Sequence, residues 1–312
     1  MQTTDVAAKC LVTGGAGFVG SRLSARLLEL GNEVAVYDDL SVGRRENVPA
    51  GATFIEADIL DRDRLRNAMR GMDIVFHNAA FVSIRNSFFE PRLESEVNVT
   101  GTLNVLDAMV EAKVAKIVFA SSMAVYGVPQ KERVHEGDVV QPISPYGLSK
   151  LKGEMLCRVY SDRFGVSYNA LRYFNIFGEG QAYSEYVGVL TAFLNLAKSG
   201  KPITVCGDGL QERDFVFVED IVQANILSMG KLKNAVYNIG SGTRTSILSV
   251  AKAVQREHGN AEIAYIPKPP GEIQTIQADI EAAKKDLGFA PSLGILEFIP
   301  KFCAREQARM TG

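Results

Sequence analysis

The 312-residue chain predicts an α/β fold built on a doubly wound parallel sheet, with a smaller C-terminal lobe interleaved into it. Three observations carry that expectation: short unbroken apolar runs, longer helical patterns between them, and a glycine-rich turn joining the first run to the first helix. Cys10-Leu11-Val12, Val34-Ala35-Val36, Ile74-Val75-Phe76 and Ile117-Val118-Phe119 are continuous rather than alternating. Strands of that kind are covered on both faces, which requires helices above and below a parallel sheet. Helical stretches near 18–30, 61–70, 92–112 and 146–164 supply that cover. After Arg172 the rhythm changes. Residues 174–212 place glycines, prolines and tyrosines around one apolar helical stretch, Val187 to Ala197. Strand-helix alternation returns in Phe215-Val216-Phe217-Val218, a helix from Asp220 to Met229 and the strand Val236-Tyr237-Asn238-Ile239. Helical stretches near 246–258 and 279–287, a proline-rich stretch at 267–270 and a last helix after Leu293 complete the chain.

Composition narrows the functional classes. Hydrophobic residues make up 46% and charged residues 22%, as in an ordinary globular protein with a sizeable core. A formal net charge of −2 gives no electrostatic case for nucleic-acid or anionic-membrane binding. Cys10, Cys157, Cys206 and Cys303 are scattered without metal-ligand spacing, which fits thiols kept in a reducing cytosol. No apolar run approaches bilayer length, and the start, Met1-Gln2-Thr3-Thr4-Asp5, lacks the pattern of a signal peptide. A cytoplasmic protein with no bound metal is expected.

Thr13-Gly14-Gly15-Ala16-Gly17-Phe18-Val19-Gly20 follows the first strand and opens the first helix. Glycines there permit a tight turn, close backbone approach to a pyrophosphate, and close packing of helix on strand. The helix N-terminus supplies N–H groups and a favourable dipole for phosphate. Asp38 ends the second strand, 18 residues beyond Gly20. A carboxylate there accepts hydrogen bonds from ribose hydroxyls and repels a 2′-phosphate, so NAD is expected rather than NADP. Asp58 and Ile59 follow the third strand, where the carboxylate can meet the adenine amino group or, equally, cap a helix. The expected division is thus a nucleotide-binding domain over 1–173, rejoined by 213–240, with 174–212 and 241–312 forming a substrate-binding lobe.

Tyr146 and Lys150 lie four residues apart in Pro145-Tyr146-Gly147-Leu148-Ser149-Lys150, about one helical turn, so phenol and ammonium share a face. A free tyrosine titrates near pH 10, too high for a base at neutrality. A nearby cation favours the phenolate, and lowering the pKa by roughly three units takes about 4 kcal/mol of differential stabilisation. Lys150, helped by an oxidised nicotinamide, is the expected source.

These residues resemble the extended short-chain dehydrogenase/reductase family over nearly the whole chain, and look most like its nucleotide-sugar 4-epimerase branch. The carrying motifs are Thr13 to Gly20, Asp38, Asp58, His77-Asn78-Ala79-Ala80, Asn98-Val99-Thr100-Gly101-Thr102 and Ala120-Ser121-Ser122-Met123-Ala124-Val125-Tyr126-Gly127. Pro145 to Lys150, Leu171-Arg172-Tyr173-Phe174-Asn175 and Arg213-Asp214-Phe215 follow in order. The resemblance implies a Rossmann-like fold in which Gly14, Gly17, Phe18, Val19, Gly20, Asp38, Asp58, Ile59, Ala79, Ala80 and Asn98 hold NAD. It implies that Ser122 hydrogen-bonds the reacting sugar hydroxyl, that Tyr146 takes its proton, and that Lys150 holds the nicotinamide ribose. Asn175 and Arg213 would meet the substrate diphosphate, the arginine by charge-assisted bonds. Tyr183 to Val189 would shape the base and sugar pocket, and a homodimer would form through the helix at 92–112 and the Tyr-Lys helix. Ser122 as a plain strand-end cap is disfavoured by its motif, and His77 is expected to be structural.

The resembling dehydratases carry an acid-base pair directly after the serine or threonine of the fifth-strand motif. Here Met123 and Ala124 stand in those places, and neither moves a proton. What remains is oxidation at C4 of a nucleotide-diphosphate sugar, UDP-hexose favoured, and return of the hydride to the opposite face. A net oxidoreductase or 4-ketoreductase is the enzymatic alternative, and a non-catalytic NAD-binding regulator the other. One departure stands out: Pro269 occupies the position of the family's late arginine in Pro269-Pro270-Gly271-Glu272, leaving Lys268 as the nearest cation.

Overall fold

The structure is a computed structural model that describes residues 7–181, 188–259, 261–268 and 273–311. Its main sheet has seven strands, here β1 (Lys9–Thr13), β2 (Glu33–Asp38), β3 (Thr53–Glu56), β4 (Ile74–His77), β5 (Lys116–Ser122), β6 (Ser167–Tyr173) and β7 (Ala235–Ile239). They run parallel in the order β7-β6-β5-β4-β1-β2-β3. Chain order therefore reverses between β1 and β4, where Thr13 pairs with His77. A crevice opens beyond the carboxyl ends of strands at such a reversal.

The continuous apolar runs divide between two faces with period two, as a strand requires. Cys10, Val12, Val34, Val36, Phe76 and Val118 pack into one cluster. Leu11, Ala35, Tyr37, Val75, Ile117 and Phe119 pack into another on the opposite side. The helix Phe18–Glu29 sends Leu23 and Leu27 into the first cluster, and Gly101–Ala112 sends Val105, Leu106 and Met109 into the second. Away from the sheet, Phe177, Leu190, Phe193, Phe215, Val250, Val254, Phe298 and Ile299 form a third cluster in the second half of the chain.

Three sequence expectations need correction. The stretch at 92–112 is not one helix: Pro91–Ser95 runs into a π-helical turn, Glu96–Thr100, before Gly101–Ala112 begins. The wider turn buries Asn98. Phe215–Phe217 pairs with Asn175–Phe177 in a separate two-stranded sheet, while only Ala235–Ile239 joins the main one. Val218 already belongs to the helix Val218–Met229, and Asp220 binds the Ser292 hydroxyl at 2.6 Å instead of opening that helix. Short strand pairs such as Ile203–Cys206 with Ile263–Ile266, four residues each, were not expected from the sequence.

Candidate active site

The nucleotide end is built from the turn after β1. Gly14 has φ +67°, and a Cβ there would sit 2.6 Å from the Ala79 amide nitrogen, so only glycine lets the turn approach the 78–80 segment. A Cβ on Gly20 would strike the Gly14 carbonyl, which is why the helix can pack so close to its own entry turn. Gly17 caps that helix without a side-chain hydrogen bond, and the first turn carries no acidic residue. Phe18 and Val19 occupy this turn, half-buried. Asp38 is buried at the end of β2, accepting from the Ala16 amide and the Leu40 amide, each at 2.9 Å. It organises the glycine turn as well as presenting a carboxylate.

Across the turn, both side-chain amide atoms of Asn78 are buried with no partner among the described residues. A buried, unpaired amide beside a cap-free helix N-terminus and a carboxylate at the next strand end is the donor-acceptor set a dinucleotide needs. The residues present fit NAD.

The remaining cofactor candidates sort unevenly. Ala79 and Ala80 lie half-buried at the end of β4, the Ala79 amide donating to the Thr13 hydroxyl at 3.3 Å. Asp58 is exposed and accepts from the Leu60 amide, and Asp61 rather than Asp58 caps the next helix. The Ile59 side chain is buried core, placed where a Cβ on Gly101 would stand. Asn98 is fully committed within the chain: it accepts from the Phe81 amide at 2.7 Å and donates to the Phe81 carbonyl, Glu94 and Ser149. Its bonds hold the segment beyond Ala80 in place.

The catalytic candidates do converge. Ser122 ends β5, and Tyr146 and Lys150 sit on the helix Pro145–Phe164, capped by Ser144. Ser122 lies close enough to the Tyr146 hydroxyl to favour its ionised form. Ser122 also accepts from the Ala124 amide at 3.2 Å, so the capping role that its motif argued against exists alongside the other. Lys150 Nζ donates to the Ala120 carbonyl at 2.9 Å and lies 5.9 Å from the Tyr146 ring centroid. Burial pushes the Tyr146 phenol up to about 12, with Ser122 opposing and the Glu94 charge reinforcing the rise. Burial likewise pushes Lys150 down to about 8, opposed by Glu94. The expected depression of the phenol is therefore not a property of this protein's own groups, among which burial and Glu94 raise it and Ser122 alone lowers it.

His77 is structural, as expected. Thr13 and Thr102 flank its ring nitrogens at 2.7 and 3.0 Å, and burial pushes it down to about 3. Since the Thr102 hydroxyl donates to the Asn98 carbonyl at 2.6 Å, His77 Nε2 carries the proton and Nδ1 accepts from Thr13.

Of the substrate candidates, Asn175 is half-buried, its Oδ1 buried and unpaired among the described residues. Arg213 donates to the carbonyls of Glu212 at 2.8 Å and Gln274 at 3.4 Å. Lys268 reaches Gln274 Oε1 at 2.7 Å, which brings it into the neighbourhood of Arg213. Val189 opens the helix Val189–Lys198 and packs on the third apolar cluster, which gives it a core role. Tyr183 to Tyr186 and Val187, with Pro269 to Glu272, lie outside the described residues.

Sequence reasoning missed the buried supports. Arg172 grips Glu154 at 2.8 and 2.9 Å, and Glu154 also accepts from Ser121 at 2.5 Å, next to Ser122. Asp214, next to Arg213 in sequence, accepts from the amides of Ser241, Gly242 and Ala278, tying the 241–242 turn to the strand Gln277–Ala278. Glu94 bonds Ser149 inside the Tyr-Lys turn. Arg172 and Asp214 stand inside motifs, where the chemistry of their neighbours gave the stronger signal.

A glycine turn, a strand-end serine and a Tyr-Lys helix gathered at a sheet reversal define a nucleotide-dependent enzyme of the short-chain dehydrogenase/reductase type. Residues 10–240 match the NAD dependent epimerase/dehydratase family, and the chain belongs to it. It is 39% identical over 295 residues to a putative UDP-glucose 4-epimerase of Methanocaldococcus jannaschii, covering 93% of this chain and 96% of that one. Among solved structures it resembles UDP-glucose 4-epimerase of Thermotoga maritima with UDP-glucose, at TM-score 0.91 and 33% identity, covering 97% and 99%. It also resembles the NAD complex of UDP-glucose 4-epimerase from Thermus thermophilus, at TM-score 0.87 and 37% identity, covering 93% and 96%. NAD is this family's cofactor.

Proposed function

We propose that the protein inverts C4 of a nucleotide-diphosphate sugar, UDP-hexose first among candidates, through a transient 4-keto sugar. The observation that carries this reading is the convergence of Ser122, Tyr146 and Lys150, followed by Met123 and Ala124 where an acid-base pair would serve elimination. Gly14, Gly17, Gly20, Asp38 and Asn78 would hold NAD. The chemistry NAD supplies when bound is reversible hydride uptake at C4. Tyr146 removes the C4 hydroxyl proton, Ser122 orients that oxygen, and Tyr146 returns the proton once the keto sugar has turned about its diphosphate tether. Asn175 and Arg213 hold the diphosphate, and Lys268 supplies the charge that Pro269 does not.

A panel of UDP-, dTDP-, GDP- and CDP-sugars, read by separation of C4 stereoisomers without added NAD, tests the proposal. Epimer formation without net cofactor change supports it. Reduction or oxidation in proportion to product would instead establish the net oxidoreductase.

We further propose that two copies associate through the Tyr-Lys helix. Leu151 and Leu156 pack inward, whereas Met155 and Val159 are 60% and 56% exposed. Leu148, Met155 and Val159 share one face, beside exposed Phe89, Leu93 and Leu103 of the neighbouring helices. Light scattering at micromolar concentration should give a dimer, and Met155→Arg with Val159→Arg a monomer. No helix among the described residues is long and apolar enough to cross a membrane.

A further inference from the structure

Glu94 is a carboxylate that the reaction does not require, yet it is 1% exposed and sits against the catalytic helix. It lies on the short helix Pro91–Ser95, just before the π-helical turn. One of its oxygens accepts from Ser149 Oγ and from Asn98 Nδ2, the latter at 2.6 Å. Ser149 stands between Tyr146 and Lys150 in sequence and also lies 2.9 Å from the Tyr146 carbonyl. Asn98, in turn, clasps the Phe81 backbone through both its amide and its carbonyl. A single buried oxygen thus joins the turn bearing both catalytic side chains to the segment that follows Ala79 and Ala80.

We propose that Glu94 is a positioning residue for the Tyr146–Lys150 pair, anchoring their helical turn through Ser149 and Asn98 while setting the charge around both groups. A buried carboxylate with two short charge-assisted bonds is strongly directional, and removing it leaves two buried donors unpaired. Among the described residues, the charged and titratable groups facing the pair are few. Lys150 and Tyr146 share one helix, Glu94 faces them from Pro91–Ser95, and His77 faces Lys150 from β4. Glu154, further along the catalytic helix, is neutralised by Arg172. Burial holds the phenol protonated and disfavours the charged amine; Glu94 is the carboxylate that reinforces the first effect and opposes the second. Burial and Glu94 together thus favour the proton on Tyr146.

This role rests on the C4 epimerase reading for its consequence in turnover, so the test uses a signal that needs no sugar. In NAD-loaded protein, the Tyr146 titration is the near-ultraviolet phenolate absorbance of the wild type minus that of Tyr146→Phe. Glu94→Gln keeps the shape and the acceptor oxygen while removing the charge, and should move that titration to lower pH by about one unit. Glu94→Ala removes the anchor too, and should lower turnover of whichever sugar the wild type accepts by about tenfold or more with NAD retained. A purely structural carboxylate would lower the melting temperature of both variants and leave the phenol titration where it was. A Glu94→Gln titration superimposed on the wild type overturns the proposal. Absence of epimerisation by the wild type, with the shift present, would count only against the C4 reading.

Discussion

The two ends of the crevice are built differently. At the catalytic end, Ser122 closes a seven-residue strand, and Tyr146 and Lys150 ride a 20-residue helix. Each is buried or nearly so, and a second layer of Glu94, Asn98, Ser149, Glu154 and Arg172 fixes the first. At the proposed substrate end, Asn175 and Arg213 stand on strands of three and two residues. Both are partly exposed, and Arg213 leans on the backbone carbonyls of Glu212 and Gln274. The proposed exchange of a proton with one sugar hydroxyl needs rigid elements. A site that chooses among sugars is assembled from loops.

The largest effect that would break this contrast is at Tyr146. Tyr146→Phe removes the phenol oxygen beside Ser122 and should lower turnover about a thousandfold or more, with NAD retained in the purified protein. Undiminished epimerisation would remove the catalytic end from the chemistry altogether.

The contrast also explains what the sequence made legible. The four-residue Tyr-Lys spacing, the strand-end Ser122 and the glycine turn are repeats of elementary geometry: one helical turn, one strand terminus, one positive φ at Gly14. Four of the seven main strands, β1, β2, β4 and β5, showed as apolar runs because both faces of each are covered, whereas β6, with polar residues in Ser167–Tyr173, gave no such run. Nothing comparable marks Glu94, whose partner Ser149 lies 55 residues away, or the Asp214 clamp, which spans 64 residues to Ala278. Contacts at such separation depend on the closed fold. The π-helical turn at Glu96–Thr100 escaped for a related reason, since one widened turn hardly disturbs an apolar helical pattern.

The next effect tests the rigidity of the catalytic end. Arg172 and Glu154 are 5% and 6% exposed and bonded two ways. Arg172→Met leaves a buried, unpaired carboxylate directly beneath Ser121 and should cost about 3–5 kcal/mol, measured by denaturant unfolding. Adding Glu154→Gln should recover part of that loss. At the substrate end, Arg213→Ala should raise KM for the nucleotide sugar about ten- to a hundredfold with a smaller change in kcat, because a phosphate contact is made equally in ground and transition states. Lys268→Met should act in the same direction and less, as an exposed point charge.

The smallest effect sharpens the contrast by asking how closed the catalytic end is. His77 lies between Thr13 and Thr102 under the sheet reversal, neutral, and burial holds it down to about 3. The unfolded chain protonates this imidazole near pH 6.5, so between about 6.5 and 3 the unfolded state binds a proton that the folded state refuses. Stability is fully present above that window and falls as pH drops into it, by at most about 1.4 kcal/mol for each unit. Buried carboxyls work the opposite way: burial raises Asp38, Asp214, Asp220 and Glu136, so each favours the folded state as acid is added. Raw stability against pH therefore mixes both signs. The difference between the wild type and His77→Gln isolates the imidazole, since glutamine offers a donor and an acceptor but does not titrate. Between pH 6.5 and 5.5 that difference should narrow by up to about 1 kcal/mol as the wild type loses its advantage. A difference flat across that interval would mean that His77 gains its proton in the folded state, and that water reaches the floor of the crevice.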